Sequence, residues 1–236
     1  MKKFELTSEF VTFLGKKLFR IKALVSFGDV KEGELGGLVE KEENLDQSGN
    51  AWVSGNAWVS GDARVYGDAR VYGNAWVSGD ARVYGDAWVS GDARVSGDAR
   101  VYGDARVYGN AWVSGDAWVS GDAWVSGDAW VSGDARVSGD ARVSGDARVY
   151  GNAWVSGDAR VQNCRDYSAT SCFGSENRTT TFFRTKDGGI SVRCGCFYGT
   201  LAEFREKVKE RHGGRRLAKE YLMLADLMEF RLSKDE

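Results

Sequence analysis

Four features are scarce in this sequence: long apolar runs, an excess of charge of one sign, histidine, and cysteine within the central segment. No stretch approaches the roughly 18 apolar residues of a membrane-spanning helix. The first ten residues, MKKFELTSEF, lack the apolar run of a signal peptide, so we expect a cytoplasmic protein that does not enter membranes. Lys and Arg number 32 against 34 Asp and Glu, which gives no general attraction to nucleic acid.

The scarcity of histidine and cysteine limits the chemistry open to this chain. The only histidine, His212, stands beside Gly213, where we expect a solvated helix end rather than a catalytic base. In a reducing compartment the cysteines are expected to be free thiols. Their irregular spacing favours buried cysteines over a four-thiolate zinc site, which stays the alternative, so no metal or cofactor is predicted. The four cysteines are Cys164, Cys172, Cys194 and Cys196.

A six-residue sequence repeat, called a word below, occupies the middle of the chain. Every sixth residue from Gly49 to Gly157 is glycine, followed by Asp or Asn, Ala, Trp or Arg, Val, and then Ser, Tyr or once Gln. Ala and Val lie two apart, so in an extended chain both point to the same side, which predicts a short strand with these two residues inward. Gly-Asp or Gly-Asn predicts a bend, because glycine accepts positive φ. Each word therefore predicts one flat side and one corner of a coil.

The words VSGDAR and VYGNAW resemble the hexapeptide repeat of left-handed parallel β-helices, in which an aliphatic residue and a small residue four later fill a triangular prism. The resemblance covers residues 49–161 and implies three words per turn, hence about six turns for nineteen words. We predict a mainly β protein with an N-terminal β cap over residues 1–48. The left-handed parallel β-helix is predicted over 49–162 and a C-terminal α+β cap over 163–236.

Both flanks predict covers for the open ends of the coil, which would otherwise expose unpaired strand edges. Residues 9–25 predict two strands around a turn at Gly15, and residues 179–197 predict a hairpin turned at Asp187-Gly188. The stretches LFRIKALVSFGDVKEGELGGLVE, ENLDQSGNAWV and CGCFYGTLAEFREKVKERHGG resemble the flanks of phage- and prophage-borne hexapeptide-repeat proteins. That resemblance implies a protein made inside a bacterial host by a mobile element.

The end of the chain predicts two helices. Thr200 and Glu203 have the spacing of a capping box, and the first helix is expected to end near Gly213. The second is predicted over about residues 215–232. Its expected apolar face carries Leu217, Tyr221, Leu224 and Met228.

The best-known left-handed β-helices are acyltransferases that use acetyl-CoA or acyl-carrier protein. Their chemistry needs a histidine base beside the acceptor, usually with a loop extruded from the coils. This chain departs on both counts, since His212 lies outside the repeats and no word is interrupted. We therefore predict a protein that is not an enzyme, and keep an acyltransferase-like trimer and a purely structural rod as alternatives.

The residues at the two outward-facing positions of each word follow a rule. All nine tryptophans directly precede the inward Val and are followed two residues later by Ser, whereas all six tyrosines of the repeats follow an Arg by two residues. No word carries both Trp and Tyr, which indicates room for one large aromatic side chain per word. Every Arg also has an Asp two residues before it, which predicts an exposed local ion pair.

With three words per turn, these outward residues lie on three faces of the coil. Neighbouring rungs are about 4.8 Å apart, so cation–π stacking between Trp and Arg is expected. Face 1 carries Trp52, Arg70, Trp88, Arg106, Trp124, Arg142 and Arg160. Face 2 carries Trp58, Trp76, Arg94, Trp112, Trp130 and Arg148. Face 3 carries Arg64, Arg82, Arg100, Trp118, Arg136 and Trp154, with Tyr66, Tyr84 and Tyr102 beside its first three rungs.

We predict that these ladders bind a protein partner, a host bacterial protein, because Trp, Tyr and Arg dominate binding hot spots. Ten arginines against fourteen aspartates in the repeats argue against nucleic acid, and a homo-oligomer is left open. On face 2 the small Ser neighbours predict uncovered tryptophan rings. The predicted binding residues are Trp52, Trp58, Trp76, Trp88, Trp112, Trp124, Trp130, Arg70, Arg94 and Arg106.

Overall fold

The structure is a computed structural model that describes residues 2–233. Its N-terminal part contains β1 (Phe4–Phe13), β2 (Lys16–Ala23), β3 (Leu35–Val39) and a 3-10 helix over Glu42–Asn44. β1 and β2 pair antiparallel around a turn at Leu14 and Gly15, which confirms the two strands predicted over residues 9–25. β2 and β3 are also antiparallel, and β3 leads the chain into the first word.

Each of the nineteen words forms one two-residue strand of Trp or Arg and the following Val. The Trp or Arg nitrogen donates to an Ala carbonyl of the next turn, and the Val carbonyl accepts from a Ser or Tyr nitrogen of the preceding turn. The strands β4 to β22 are Trp52–Val53, Trp58–Val59, Arg64–Val65, Arg70–Val71, Trp76–Val77, Arg82–Val83, Trp88–Val89, Arg94–Val95, Arg100–Val101, Arg106–Val107, Trp112–Val113, Trp118–Val119, Trp124–Val125, Trp130–Val131, Arg136–Val137, Arg142–Val143, Arg148–Val149, Trp154–Val155 and Arg160–Val161.

Strands three words apart pair in parallel, so the chain winds into a β-solenoid with three words per turn. Val95, for example, lies opposite Val77 on one side and Val113 on the other. Three sheets result, parallel throughout the words, and they correspond to the three predicted faces; the sheet of face 2 also carries the antiparallel strands β1 and β2. The solenoid has about seven turns rather than about six. The extra rungs precede the first word, because β3 pairs in parallel with β5 and Leu45 bridges to Val65. The left-handed sense stays a prediction.

The core of the solenoid is a column of alanine and valine. Every Ala and every Val of the nineteen words is fully buried, which confirms the predicted alternation of inward and outward residues. The corners need glycine for two reasons, as Gly97 illustrates. Its φ is +67°, and a Cβ there would lie 2.9 Å from the backbone nitrogen of Gly115 on the next turn. A side chain at this corner would therefore push successive turns apart.

Polar side chains satisfy backbone groups at the N-terminal end of the solenoid. The carbonyls of the first turn have no preceding turn to donate to them, so they need other donors. The buried ammonium group of Lys3 donates to the carbonyls of Ser48, Gly49 and Ala51 at 3.3, 3.4 and 2.9 Å. On the next corner, the buried amide of Asn44 donates to the carbonyls of Gly61 and Ala63 at 3.0 and 2.9 Å.

The C-terminal end is covered by a four-stranded antiparallel sheet and two helices. The sheet consists of β23 (Tyr167–Phe173), β24 (Arg178–Arg184), β25 (Ile190–Cys194) and β26 (Phe197–Thr200). Thr181 on β24 accepts a hydrogen bond from the backbone nitrogen of Trp154, so this sheet satisfies the last turn of face 3. The predicted hairpin at Asp187-Gly188 is confirmed as the β24–β25 connection, whereas β23 and β26 were not predicted.

Both predicted helices are present, as α1 (Leu201–His212) and α2 (Arg216–Leu232). Thr200 and Glu203 form the predicted capping box at the start of α1. The predicted apolar face of α2 is confirmed at Tyr221 and Met228, and Leu224 is half-buried against the same core, but the prediction is wrong at Leu217, which is half-buried outside it. The face that packs against the sheet and α1 consists of Ala218, Tyr221, Ala225, Met228 and Leu232. No helix within residues 2–233 has the length and apolarity of a membrane span.

Candidate functional site

Arginine and tryptophan side chains stack on one another along the faces of the solenoid. On face 1, the guanidinium carbon of Arg106 lies 5.1 Å from the ring centre of Trp88 and 5.2 Å from that of Trp124. Arg142 covers the other side of Trp124 at 4.5 Å. On face 3, Arg136 lies between Trp118 and Trp154 at 5.1 and 5.4 Å. The predicted cation–π ladders are therefore confirmed, with each cation held one rung from its ring.

Like aromatic residues on neighbouring rungs stack in parallel beyond the N-terminal cap, whereas Trp58 and Trp76, which Phe13 contacts, meet edge-on at 88°. The ring centres of Trp112 and Trp130 on face 2 are 4.8 Å apart and their planes differ by 1°. Tyr84 stacks in the same way on Tyr66 and on Tyr102, with centres 4.8 and 5.0 Å apart. Rings this close and parallel turn their faces toward each other. The solvent therefore meets ring edges, indole N–H groups and hydroxyl groups rather than a flat surface of ring faces.

The N-terminal cap covers three of the predicted binding residues. Trp52 is only 5% exposed, because Phe4 and Phe27 pack edge-on against its ring. Phe13, at the tip of the β1–β2 hairpin, places its ring centre 4.8 Å from Trp58 and 4.9 Å from Trp76.

The predicted open face of four tryptophans is therefore wrong at Trp58 and Trp76. The serines beside these rings are small, as the sequence indicated, but Phe13 comes from a segment about forty residues or more away in the sequence. A regular repeat carries no signal for such a cover. On face 2 the ladder beyond the hairpin consists of Arg94, Trp112, Trp130 and Arg148, with Arg94 between Trp76 and Trp112 at 5.7 and 4.9 Å.

The arginines of the words do not pair with the aspartates of the same words within residues 2–233, so the predicted local ion pairs are wrong. Six of the ten guanidinium groups stack on neighbouring rings instead, those of Arg94, Arg100, Arg106, Arg136, Arg142 and Arg148. Arg70 differs, since it forms a 2.6 Å ion pair with Asp29 in the N-terminal cap. That contact ties the cap to the second rung of face 1.

Face 1 keeps an exposed aromatic segment between the two caps. We define the face-1 cluster as Tyr72, Trp88, Arg106, Tyr108 and Trp124. Tyr72, Trp88 and Tyr108 are 37, 38 and 36% exposed, which leaves more than a third of each accessible to a partner. Each tyrosine packs edge-on against the Trp of the next rung, with ring centres 6.1 Å apart. Sequence reasoning missed both tyrosines as site residues, although their place after an Arg word was visible.

A column of carboxylates runs beside the face-1 cluster, since every third word contributes the residue after its glycine to the same corner. A groove of about 670 Å³ follows this corner and is lined by Asp104, Arg106, Asp122 and Trp124 among others. Elsewhere asparagine interrupts such columns, and Asn74 and Asn110 donate to the carboxylates of Asp92 and Asp128 at 3.0 Å. An amide at these positions replaces repulsion between two carboxylates by a hydrogen bond.

The histidine and the cysteines lie far from the face-1 cluster in the sequence, in the C-terminal unit. His212 ends α1 as predicted, but it is half-buried and stacks on Tyr221 with ring centres 5.6 Å apart. The preference for buried cysteines is wrong for Cys164, Cys172 and Cys196, which are exposed. Cys194 is half-buried and accepts a hydrogen bond from the hydroxyl of Thr180 at 3.2 Å. Residues 2–233 contain no group of three or more side chains placed to hold a metal ion.

The parallel rungs, the buried Ala and Val column and the outward ladders define a β-solenoid repeat protein. Within this class, the sequence profile of the YdcK beta solenoid repeat matches overlapping windows that together cover residues 63–121 and 129–157. All of these windows lie inside the segment of six-residue words. None of the curated proteins matches the chain.

Proposed function

We propose that this β-solenoid is a non-enzymatic scaffold that binds a protein partner through the face-1 cluster. The observation that carries the proposal is that Tyr72, Trp88 and Tyr108 stay exposed between the caps while Trp52, at the end of the same face, is covered. Following the resemblance of the flanks, we place the protein in the cytoplasm of a bacterial host as the product of a phage-type element. Its partner is then a host defence or regulatory protein.

The chemistry of the cluster supports a protein partner. Trp, Tyr and Arg are the residues that most often dominate binding energy at protein interfaces. From Tyr72 to Trp124 the cluster spans three rung spacings, or roughly 14 Å. Because the rings present edges, hydroxyl groups and guanidinium N–H groups, a partner is recognised by acceptors that meet these donors. The neighbouring carboxylate column suits basic residues at the rim of the same interface.

The rigidity of the solenoid also supports binding. Successive rungs are joined by backbone hydrogen bonds of about 2.9 Å on every face, such as the bond from Trp88 nitrogen to the carbonyl of Ala105. The guanidinium of Arg106 holds the rings of Trp88 and Trp124 in place before any partner arrives. Pre-ordered side chains lose less conformational entropy on binding, which favours affinity.

The test compares two exposed tryptophans that lie on different faces. The tagged parent protein and the variants Trp88→Ala and Trp130→Ala are used to capture proteins from bacterial lysate, with quantitative mass spectrometry. We expect a specific partner whose affinity falls by at least about tenfold with Trp88→Ala and stays near that of the parent with Trp130→Ala. Trp130 is a matched control, since it is 42% exposed and also stacks in a ladder. Equal capture by all three proteins would refute the face-1 cluster as the interface.

A purely structural rod is the second candidate, favoured by the covering of tryptophan ring faces with guanidinium groups. If the rod is purely structural, Trp88→Ala lowers the melting temperature, and no bound partner is lost with this substitution. The acyltransferase alternative predicts instead that an acyl-CoA raises the melting temperature of the parent protein. The scaffold that we propose predicts no such rise.

A further inference from the structure

A cavity of about 220 Å³ lies in the C-terminal unit, away from the faces of the solenoid. It opens to solvent on one side and is bordered by α1, by α2 and by the turns that join β23 to β24 and β25 to β26. Five apolar or aromatic side chains line it: Phe197, Phe204, Val208, His212 and Tyr221. An apolar cavity of about 150 Å³ is enough to hold benzene, so this one has room for one ring with a small substituent.

Tyr221 is held rigidly at the wall of the cavity. Its hydroxyl accepts a hydrogen bond from the backbone nitrogen of Ser175 at 3.3 Å. A Cβ at Gly174 would overlap that hydroxyl oxygen, so glycine lets the ring approach the turn. His212 stacks on the same ring with an angle of 23° between the planes, and Phe204 packs edge-on against it. The aromatic wall is therefore fixed before a ligand enters.

Cationic side chains outnumber carboxylates around this cavity. Arg178, Lys207 and Arg211 line it together with a single carboxylate, that of Glu176. Glu176 lies 3.9 Å from Arg178, and Lys207 is paired with Glu210 at 2.8 Å. Arg211 has no carboxylate partner within residues 2–233. One guanidinium group is thus available at the rim of an aromatic cavity, in a chain whose net charge is −2.

We infer that this cavity binds a small anion that carries one planar ring. The ring packs among Phe197, Phe204 and the stacked pair of His212 and Tyr221, and the acidic group pairs with the guanidinium of Arg211. Guanidinium suits this task because its planar fork matches the two oxygens of a carboxylate. The site lies outside the solenoid and does not depend on the proposed function of face 1.

Two features of the chain make the inference directly testable. His212 is the only histidine, so its ring-proton NMR resonances are assigned without further work. Cys196 lines the cavity and is exposed, while Cys164 is exposed and lies outside it. The rate at which each thiol is alkylated therefore reports on occupancy, with Cys164 as an internal control.

The experiment titrates the full chain with benzoate and, separately, with benzamide, its neutral isostere. We expect saturable shifts of the His212 resonances with benzoate, an affinity at least tenfold lower for benzamide, and slower alkylation of Cys196 but not of Cys164. Arg211→Gln should weaken benzoate binding at least tenfold, and Arg215→Gln, an exposed arginine outside the cavity, should leave it unchanged. The absence of saturable shifts at millimolar benzoate, or equal binding of benzoate and benzamide, would overturn the inference.

Discussion

At the N-terminal end of the solenoid, backbone carbonyls face no preceding turn, so single side chains must donate hydrogen bonds to them. Lys3 supplies three hydrogen bonds there although its side chain is buried. Taking an ammonium group out of water is costly, and this desolvation lowers the pKa of Lys3 from 10.5 to about 8, against the opposing effect of Asp46 and Asp68. The carbonyls of the first turn are therefore satisfied by an ammonium group that loses its proton more readily than an exposed lysine does.

The lowered pKa of Lys3 predicts a specific pH dependence of stability. Between pH 8 and 10.5 the unfolded chain keeps the Lys3 proton more firmly than the folded chain, so the free energy of unfolding rises with pH in this window. We expect the stability of the parent relative to Lys3→Met to rise by about 1–3 kcal/mol across it, since one pKa unit is worth about 1.4 kcal/mol. Urea titrations from pH 7.5 to 10.5 measure this difference, because other titrating groups cancel.

The control for this prediction is Lys2→Met, at an exposed lysine that pairs with Glu42. A difference that is flat or falls with pH for Lys3→Met would contradict the burial argument. An equal rise with pH in the stability of the parent relative to Lys2→Met would also contradict it, because the effect would then come from the general charge of the N-terminus.

At this scale the sequence predicts what has a period and misses what comes from elsewhere in the chain. The inward Ala and Val are readable because side chains alternate in strands. The burial of Trp52 cannot be predicted from the sequence, because its word has the same pattern as the others. Phe4, which packs against its ring, lies far away in the sequence. Lys3 likewise looks like an ordinary terminal lysine until the β1–β3 unit brings it to the first turn.

The ladders are the elements whose energetics depend on what stands on neighbouring rungs. Arg106 lies between two tryptophans and covers a face of each. Arg82 lies between Arg64 and Arg100, so the same side chain has like charges on both sides. Cross-strand neighbours decide the contribution of a side chain in a sheet, and opposite effects are expected at these two positions.

We predict that Arg106→Gln destabilises the protein and that Arg82→Gln does not. Each exposed cation–π contact is worth about 0.5–1 kcal/mol, so the loss of two contacts should lower the free energy of unfolding by about 1–2 kcal/mol. Removing Arg82 relieves repulsion and should leave stability unchanged or slightly higher. Chemical denaturation of the two variants measures both effects, and an equal loss at the two positions would mean that rings and cations do not interact across rungs.

The caps show how far element prediction reaches. The β24–β25 hairpin and the start of α1 were readable from local signals, a Gly-containing turn and a capping box. β23 was not, because Tyr167–Phe173 lacks a regular apolar alternation and gains its place by pairing with β24. The buried face of α2 was shifted since small alanines, Ala218 and Ala225, let the helix approach its neighbours, and apolar size alone does not reveal this.

The whole molecule behaves as a stack of nearly equivalent turns closed by two different caps. Face 1 contains seven strands, so its six spacings span roughly 29 Å. Each turn contacts only the turns beside it, and such solenoids have stabilities that are close to a sum over turns and interfaces. The caps break this equivalence, because β3 fits the first turn and β24 fits the last.

Turn additivity leads to a prediction about deletions. Removal of residues 91–108 takes out three words, or one whole turn, so every remaining side chain keeps its face. The product should fold with the same circular dichroism per turn and a rod shorter by about 4.8 Å in small-angle scattering. Trp88 would then lie next to Trp124 without Arg106 between them, so we expect a parallel ring stack like that of Trp112 and Trp130.

Removal of residues 91–96, a single word, is the matched control. The core stays intact because each word is a complete side, but every later outward residue moves to the next face, and the C-terminal cap is turned by one third of a turn relative to the N-terminal cap. On the proposed function this variant should fold yet lose its partner, since Trp88 and Trp124 no longer share a face. If the longer deletion unfolds while the shorter one stays native, stability does not follow whole turns, and the equivalence of the rungs is wrong.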